Sequence, residues 1–169
     1  MTQPNLIDRI VNAIPGLENS NPCHIPADPN SLLVKNIDGT TRKATWNYRS
    51  VIGMLTYLSN STRPEIAYAI HQSARFSTDP KAMHEKAVIQ LVKYCKTYKH
   101  DGIIFKPDLA NGLECYVDAD FAGNWYQADS NDRGTVMSRT GIYITLAGCP
   151  ILWDSRLQTE IALSTIKAE

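Results

Sequence analysis

Cysteine, charge of one sign and long apolar runs are what this chain has little of. Among 169 residues there are four cysteines, Cys23, Cys95, Cys115 and Cys149, and no two form a CxxC pair. That scatter argues against a disulfide framework and for reduced, buried thiols in an intracellular protein. Cys23 and His24 are adjacent, but nothing at ligand spacing joins them, so a zinc site is not indicated. The 17 basic and 17 acidic residues cancel. A generic polyanion binder is therefore not expected, although a local basic face stays open. No apolar run approaches the ~18 residues of a membrane span. The N-terminal MTQPNLIDRIV lacks the basic-then-apolar order of a secretory signal. No internal repeat is present.

What is present is enough apolar material, 43% of residues, for one ordinary domain or two small ones. Leu6, Ile7, Ile10, Val11 and Ile14 predict a short amphipathic helix over 4–14, stopped by Pro15-Gly16. Residues 15–47, with Pro15, Pro22, Pro26 and Pro29, read as an extended linker with one short strand at Leu32–Val34. Tyr48, Val51, Ile52, Leu55 and Leu58 then repeat at helical steps, and Asn60-Ser61-Thr62 is expected to break that helix. Pro64 suits the first turn of the next, where its missing N–H is unpaired anyway. Ile66, Ala67, Ile70 and Ala74 give this helix its apolar stripe. Thr78-Asp79-Pro80 is the expected start of a third helix, running to about Tyr98.

That third helix has two faces. At about 100° per residue, Val88, Leu91, Cys95 and Tyr98 cluster on one side, and Lys86, Gln90, Lys93 and Thr97 on the other. The polar side reads as a solvated face or as a row of cations tracking successive phosphates, with Lys86 and Lys93 as the nucleic-acid contacts. Lys81, Lys96, Lys99 and Lys106 add local positive charge. His71, His84 and His100 are read as surface or packing residues. Tyr48, Ile52, Leu55, Ile66, Ile70, Leu91 and Val92 are the expected small core.

Beyond His100-Asp101-Gly102 the period becomes two. Ile103-Ile104-Phe105 is a short expected strand. Leu113, Cys115 and Val117 alternate with Glu114, Tyr116 and Asp118. Ile142, Ile144 and Leu146 alternate again, and Ile151 to Arg156 follows a tight turn at Ala147–Pro150. Short connections predict an antiparallel meander, so the fold class is α+β. Such a small meander leaves a sheet edge and an apolar face uncovered. Ser164 or Thr165 can cap a helix that has barely begun at Glu169.

The stretch LECYVDADFAG places Asp118 and Asp120 where a strand runs into a small turn. Strand-end carboxylates suit Mg²⁺, which takes hard oxygen ligands. A turn-forming role is the plainer reading of such a pair.

Longer motifs add to this. WNYRSVIGMLTYLSNSTRPEIAYAIHQSARF over 46–76 resembles the segment that closes the reverse transcriptase region of copia-type retrotransposon Pol polyproteins. YVDADFAG, SRTGIYITLAGCPILWDS and LQTEIALSTIKAE resemble, in order, the start of the RNase H domain that follows it. The resemblance implies that residues 1–46 end the reverse transcriptase and form a linker. It implies a helical connection region over 47–100 and the N-terminal part of an RNase H-like domain over 101–169. It also implies that Asp118 and Glu169 are catalytic metal ligands in a two-Mg²⁺ site. Asp120 receives no catalytic role. Lys167 stands where the family usually carries an acid. The rest of the RNase H fold and the polymerase carboxylates lie outside these motifs.

Two readings follow. In the first, the chain is a piece of Pol whose parent makes DNA on an RNA template and cleaves RNA in RNA–DNA hybrids. It would be inactive alone, with weak or absent Mg²⁺ binding, no small-molecule cofactor and no membrane. In the second, it is a non-catalytic nucleic-acid-binding or interaction module derived from a decayed element.

Overall fold

A computed structural model describes the chain except residues 36–38, 44, 124, 126, 128–132 and 169. Its architecture is α+β, and the contacts divide it into two units, Met1–Ile103 and Ile104–Glu169. Among the described residues no helix is long and apolar enough to cross a membrane.

The first unit is helical: α1 (Pro4–Asn12), α2 (Tyr48–Thr62), a 3₁₀ turn at Pro64–Ile66, α3 (Ala67–Ala74) and α4 (Ala82–Thr97). The apolar spacing set these helices, and their stripes meet. Ile7, Ile10, Leu55, Leu58, Ile66, Ile70, Val88, Leu91 and Val92 form one buried cluster. Every core residue expected from the sequence is buried there, Tyr48 and Ile52 included. The Tyr48 hydroxyl donates to Ser73 O at 2.9 Å, and burial raises its pKa.

Two helix boundaries differ from expectation. Asn60, Ser61 and Thr62 do not break α2; they complete it. The stop lies at Arg63, because a residue before proline is pushed out of the helical region, and its φ of −132° and ψ of 67° show this. Arg63 is fully buried; Nη1 donates to Tyr98 O at 2.9 Å, and Nε pairs with Glu65. The third helix begins at Ala82 rather than near Thr78-Asp79-Pro80. Lys81 is held extended by a bridge to Thr41, and Ala82 N donates to Thr40 O at 2.9 Å. A long-range backbone pairing thus overrides the local proline signal.

No strand forms at Leu32–Val34. Val34 instead offers its carbonyl to the buried His84 ring, 2.9 Å from Nε2. Nor does Ile103-Ile104-Phe105 join a sheet; Ile103 pairs with Met1, its N–H 3.0 Å from Met1 O. Part of the proline-bearing stretch is tied down. Lys96 Nζ donates to the carbonyls of Leu17, Glu18 and Ser20, Cys23 N–H reaches Thr97 Oγ1 at 3.0 Å, and Gln90 reaches Ile25 O at 3.4 Å.

The second unit holds the expected meander. Strands β1 (Leu113–Asp120), β2 (Arg139–Leu146) and β3 (Cys149–Leu157) form one antiparallel sheet in the order β1-β2-β3. Ala147 and Gly148, with φ of 53° and 73°, make the tight turn between β2 and β3. Positive φ at both positions matches the strand twist, and glycine takes it without strain. Two one-turn helices complete the unit, α5 (Arg133–Val136) and α6 (Thr165–Ala168). Helix α6 packs on β1, and Gln158 Nε2 ties Ala168 O, 2.6 Å away, to Thr140 Oγ1 at 3.0 Å.

Candidate metal centre and nucleic-acid face

Strand pairing determines what surrounds Asp118. One face of β1 carries Glu114, Tyr116, Asp118 and Asp120. Their partners on β2 are Thr145, Tyr143, Gly141 and Arg139. The three carboxylates on this face differ in what they do.

Glu114 Oε2 accepts from Thr145 Oγ1 at 3.1 Å and from the Tyr116 hydroxyl at 3.3 Å. The Glu114 charge, first among the causes, raises the Tyr116 pKa. Asp120 Oδ1 accepts from Arg139 N at 2.5 Å, and a Cβ at Gly123 would sit 2.5 Å from Asp120 Oδ2. Asp120 therefore closes the strand end, and glycine at 123 leaves the room it needs. Asp118 is exposed, and among the described residues its carboxylate takes no hydrogen bond or ion pair. Its cross-strand partner is Gly141, which puts no side chain beside it.

An unengaged, exposed carboxylate at a strand end fits one hard-oxygen ligand of Mg²⁺. Among the described residues no three His, Cys, Asp or Glu side chains gather as a metal-holding group. The second expected ligand, Glu169, lies outside the described residues. The structure describes the helix leading to it and packs that helix on the strand that bears Asp118.

The lysines of α4 divide similarly. Lys86 is exposed and Lys93 half-exposed. Their neighbours are engaged within the first unit: Lys81 with Asp79 at 3.0 Å, Lys99 with Asp8 at 2.6 Å, and Lys96 with residues 17–20. Gln90 and Thr97, on the same side of the helix, hold Ile25 and Cys23. Part of this polar face is thus a seat for the chain's own residues.

The polyprotein from transposon TNT 1-94 of Nicotiana tabacum, described as a retrovirus-related Pol polyprotein, is 32% identical over the whole chain. The retrovirus-related Pol polyprotein from transposon RE1 of Arabidopsis thaliana is 31% identical over 78% of it. The chain belongs to the copia-type retrotransposon Pol polyproteins. It spans 12% and 8% of the length of those two Pol relatives. A shorter relative, secreted RxLR effector protein 161 of Plasmopara viticola, is 30% identical over 72% of the chain, which covers 80% of that protein. No family model matches the chain, and no solved structure matches it.

By spacing alone Asp118 and Asp120 look alike; the structure gives Asp120 a backbone partner and leaves Asp118 exposed. The sequence pattern missed what Glu114 does. The alternation put Glu114 on the right face, but only strand register reveals the Thr145 hydroxyl opposite it.

Proposed function

We propose that this chain is the stretch of a Pol polyprotein joining the end of the reverse transcriptase to the start of an RNase H domain. The parent activity in this reading is RNA-templated DNA synthesis with Mg²⁺-dependent cleavage of RNA in RNA–DNA hybrids. Asp118 carries the reading: of three acids on its sheet face it is the one with a carboxylate left for a ligand. The meander and the short helix packed on β1 suit an RNase H-like start. Asp118 and Glu169 would hold the metal. Mg²⁺, when bound, supplies Lewis acidity to the attacking water and the leaving oxygen. The chain's own part is to hold Asp118 at the strand end, which the Asp120–Arg139 closure supports. Four free thiols suit an intracellular setting.

Two carboxylates are fewer than a two-metal site takes, so residues 1–169 alone should show no appreciable turnover. A chimera tests the assignment. Residues 104–169 would replace the matching stretch of the TNT 1-94 polyprotein, and hybrid cleavage would be followed in Mg²⁺. Cleavage should fall by about 100-fold or more with Asp118→Asn. Equal cleavage with and without that change would sink the assignment.

The Plasmopara relative favours a second reading. A chain of similar extent carries a name with no Pol in it, which suits a non-catalytic interaction module. Lys86 and Lys93 would then contact phosphates, and hybrid binding in EDTA should weaken with salt. Binding unchanged by Lys86→Ala with Lys93→Ala would remove this reading.

A further inference from the structure

His84 belongs neither to the carboxylate face nor to the lysine row, yet it is buried with both ring nitrogens in use. It is the third residue of α4, and its Nδ1 accepts the Lys81 N–H at 2.9 Å. Nε2 therefore carries the proton and donates it to Val34 O, also at 2.9 Å. The ring lies flat on Phe76, with centroids 4.0 Å apart and planes 5° from parallel. Only one orientation serves both bonds, since a flipped ring would set a carbon against the Lys81 N–H.

The segment that receives the Val34 bond is otherwise lightly held. Ser31 N–H turns back to Asp28 O at 3.2 Å. Among the described residues, His84 makes the only hydrogen bond from residues 31–35 to a helix. Leu32, Leu33 and Val34 are half-buried. A segment held this way opens at a small part of the global unfolding cost. Residues 40–42 are tied more firmly, by the Thr41–Lys81 bridge, by Ala82 N–H on Thr40 O and by Arg42 on Glu85. His84, Phe76 and residues 31–35 all lie outside the buried cluster that α1 to α4 close.

Protonation turns Nδ1 from acceptor into donor and sets it against the Lys81 N–H. It also places a positive charge in the first turn of α4, where the backbone N–H groups already carry partial positive charge. Arg75, at the end of α3, and Lys81, just before α4, repel an imidazolium there, and Asp79 attracts it. Asp79 is itself paired with Lys81 at 3.0 Å and is mostly exposed. On α4 the neighbouring Glu85 is taken by Arg42 and by Trp46 Nε1. Val34 O accepts from either form of the ring, so it does not offset the clash at Lys81.

We propose that His84 is an acid-sensitive latch: its protonation drives the ring off Phe76 and frees residues 31–35 while the helical core stays closed. The chain then shows the apolar Leu32-Leu33-Val34 only in acid. The latch lies wholly within the helical unit and stands apart from the metal reading of Asp118.

Thermolysin, which cuts before leucine and valine, tests this on the 169-residue chain. Rates are taken from about pH 7.5 down to about pH 5 and normalised at each pH to a free peptide of residues 28–43. Normalised cutting within 31–35 should rise by about tenfold or more as pH falls below about 6.5, with the Leu55 and Leu91 amides still protected from hydrogen exchange. His84→Gln offers Lys81 an acceptor that does not titrate, so its cutting should not change with pH. Two charge variants test the latch with His84 in place. Asp79→Asn removes the attracting carboxylate and should move the midpoint to lower pH; Lys81→Met removes a repelling cation and should move it higher. Cutting that ignores pH in the parent chain, the same rise in His84→Gln, loss of Leu55 and Leu91 protection together with the cutting, or midpoints that do not separate overturns the proposal.

Discussion

His84 shows how much one side chain can fix. It is 1% exposed and stacked on Phe76 with ring centroids 4.0 Å apart. Nδ1 accepts the Lys81 N–H at 2.9 Å, so the ring proton sits on Nε2 and is donated to Val34 O. Burial lowers its pKa in the folded chain. The folded value lies below the unfolded value of about 6.5, so its contribution is full above that pH. It is lost as pH falls through the folded value, because a protonated Nδ1 cannot accept from Lys81. Urea midpoints should therefore drop as pH falls below about 6.5, and His84→Gln should flatten that drop. The two aspartates give a second contrast at this scale. Asp120→Ala removes the acceptor of the Arg139 N–H and should cost about 1–2 kcal/mol. Asp118→Asn breaks no hydrogen bond and should change stability by less than about 0.5 kcal/mol. Thermal melts of both variants check this; a large loss from Asp118→Asn would mean that it serves the fold instead of a ligand. The bond from His84 to Val34 was not legible in the sequence, since Val34 stands fifty residues away.

At the scale of elements, periodicity located the helices and the alternation located the strands, because both follow from which side faces apolar neighbours. Capping was harder to read. Thr78-Asp79-Pro80 is a good local start signal, yet pairing of Thr41 with Lys81 moves the start of α4 to Ala82. The proline-bearing stretch looked like a free linker because its anchors are single hydrogen bonds to side chains of α4. Lys96 is the main one. Replacing it with methionine keeps the stem over α4 but removes the charged donor to residues 17–20. Limited proteolysis should then cut within 17–25 faster than in the parent chain, with a global loss of about 1–3 kcal/mol. Unchanged cleavage would show that apolar contacts such as Leu17 hold the stretch instead.

Across the whole molecule, the two units differ in what they bury. The helical unit closes a core of fully buried Ile, Leu and Val. In the sheet unit Leu113, Val117, Leu146 and Leu152 remain between 47% and 69% exposed. A patch of that kind binds hydrophobic dye and promotes association. Val117→Thr and Leu152→Lys should lower dye binding and raise the solubility limit without altering the helical unit's melt. The Pol motifs were legible because they are long and ordered along the chain. The chemistry they bring together depends on strand register, which places Gly141 beside Asp118 and Arg139 beside Asp120. The central claim is that Asp118 is the metal-binding carboxylate of this face. Paramagnetic Mn²⁺ reports it most directly, since it broadens backbone amide signals near the ion even when binding is weak. Titration should broaden the amides of 117–119 and 141 first, and Asp118→Asn should abolish the effect. Broadening centred on Asp120 or Glu114, or left unchanged by Asp118→Asn, would contradict the account.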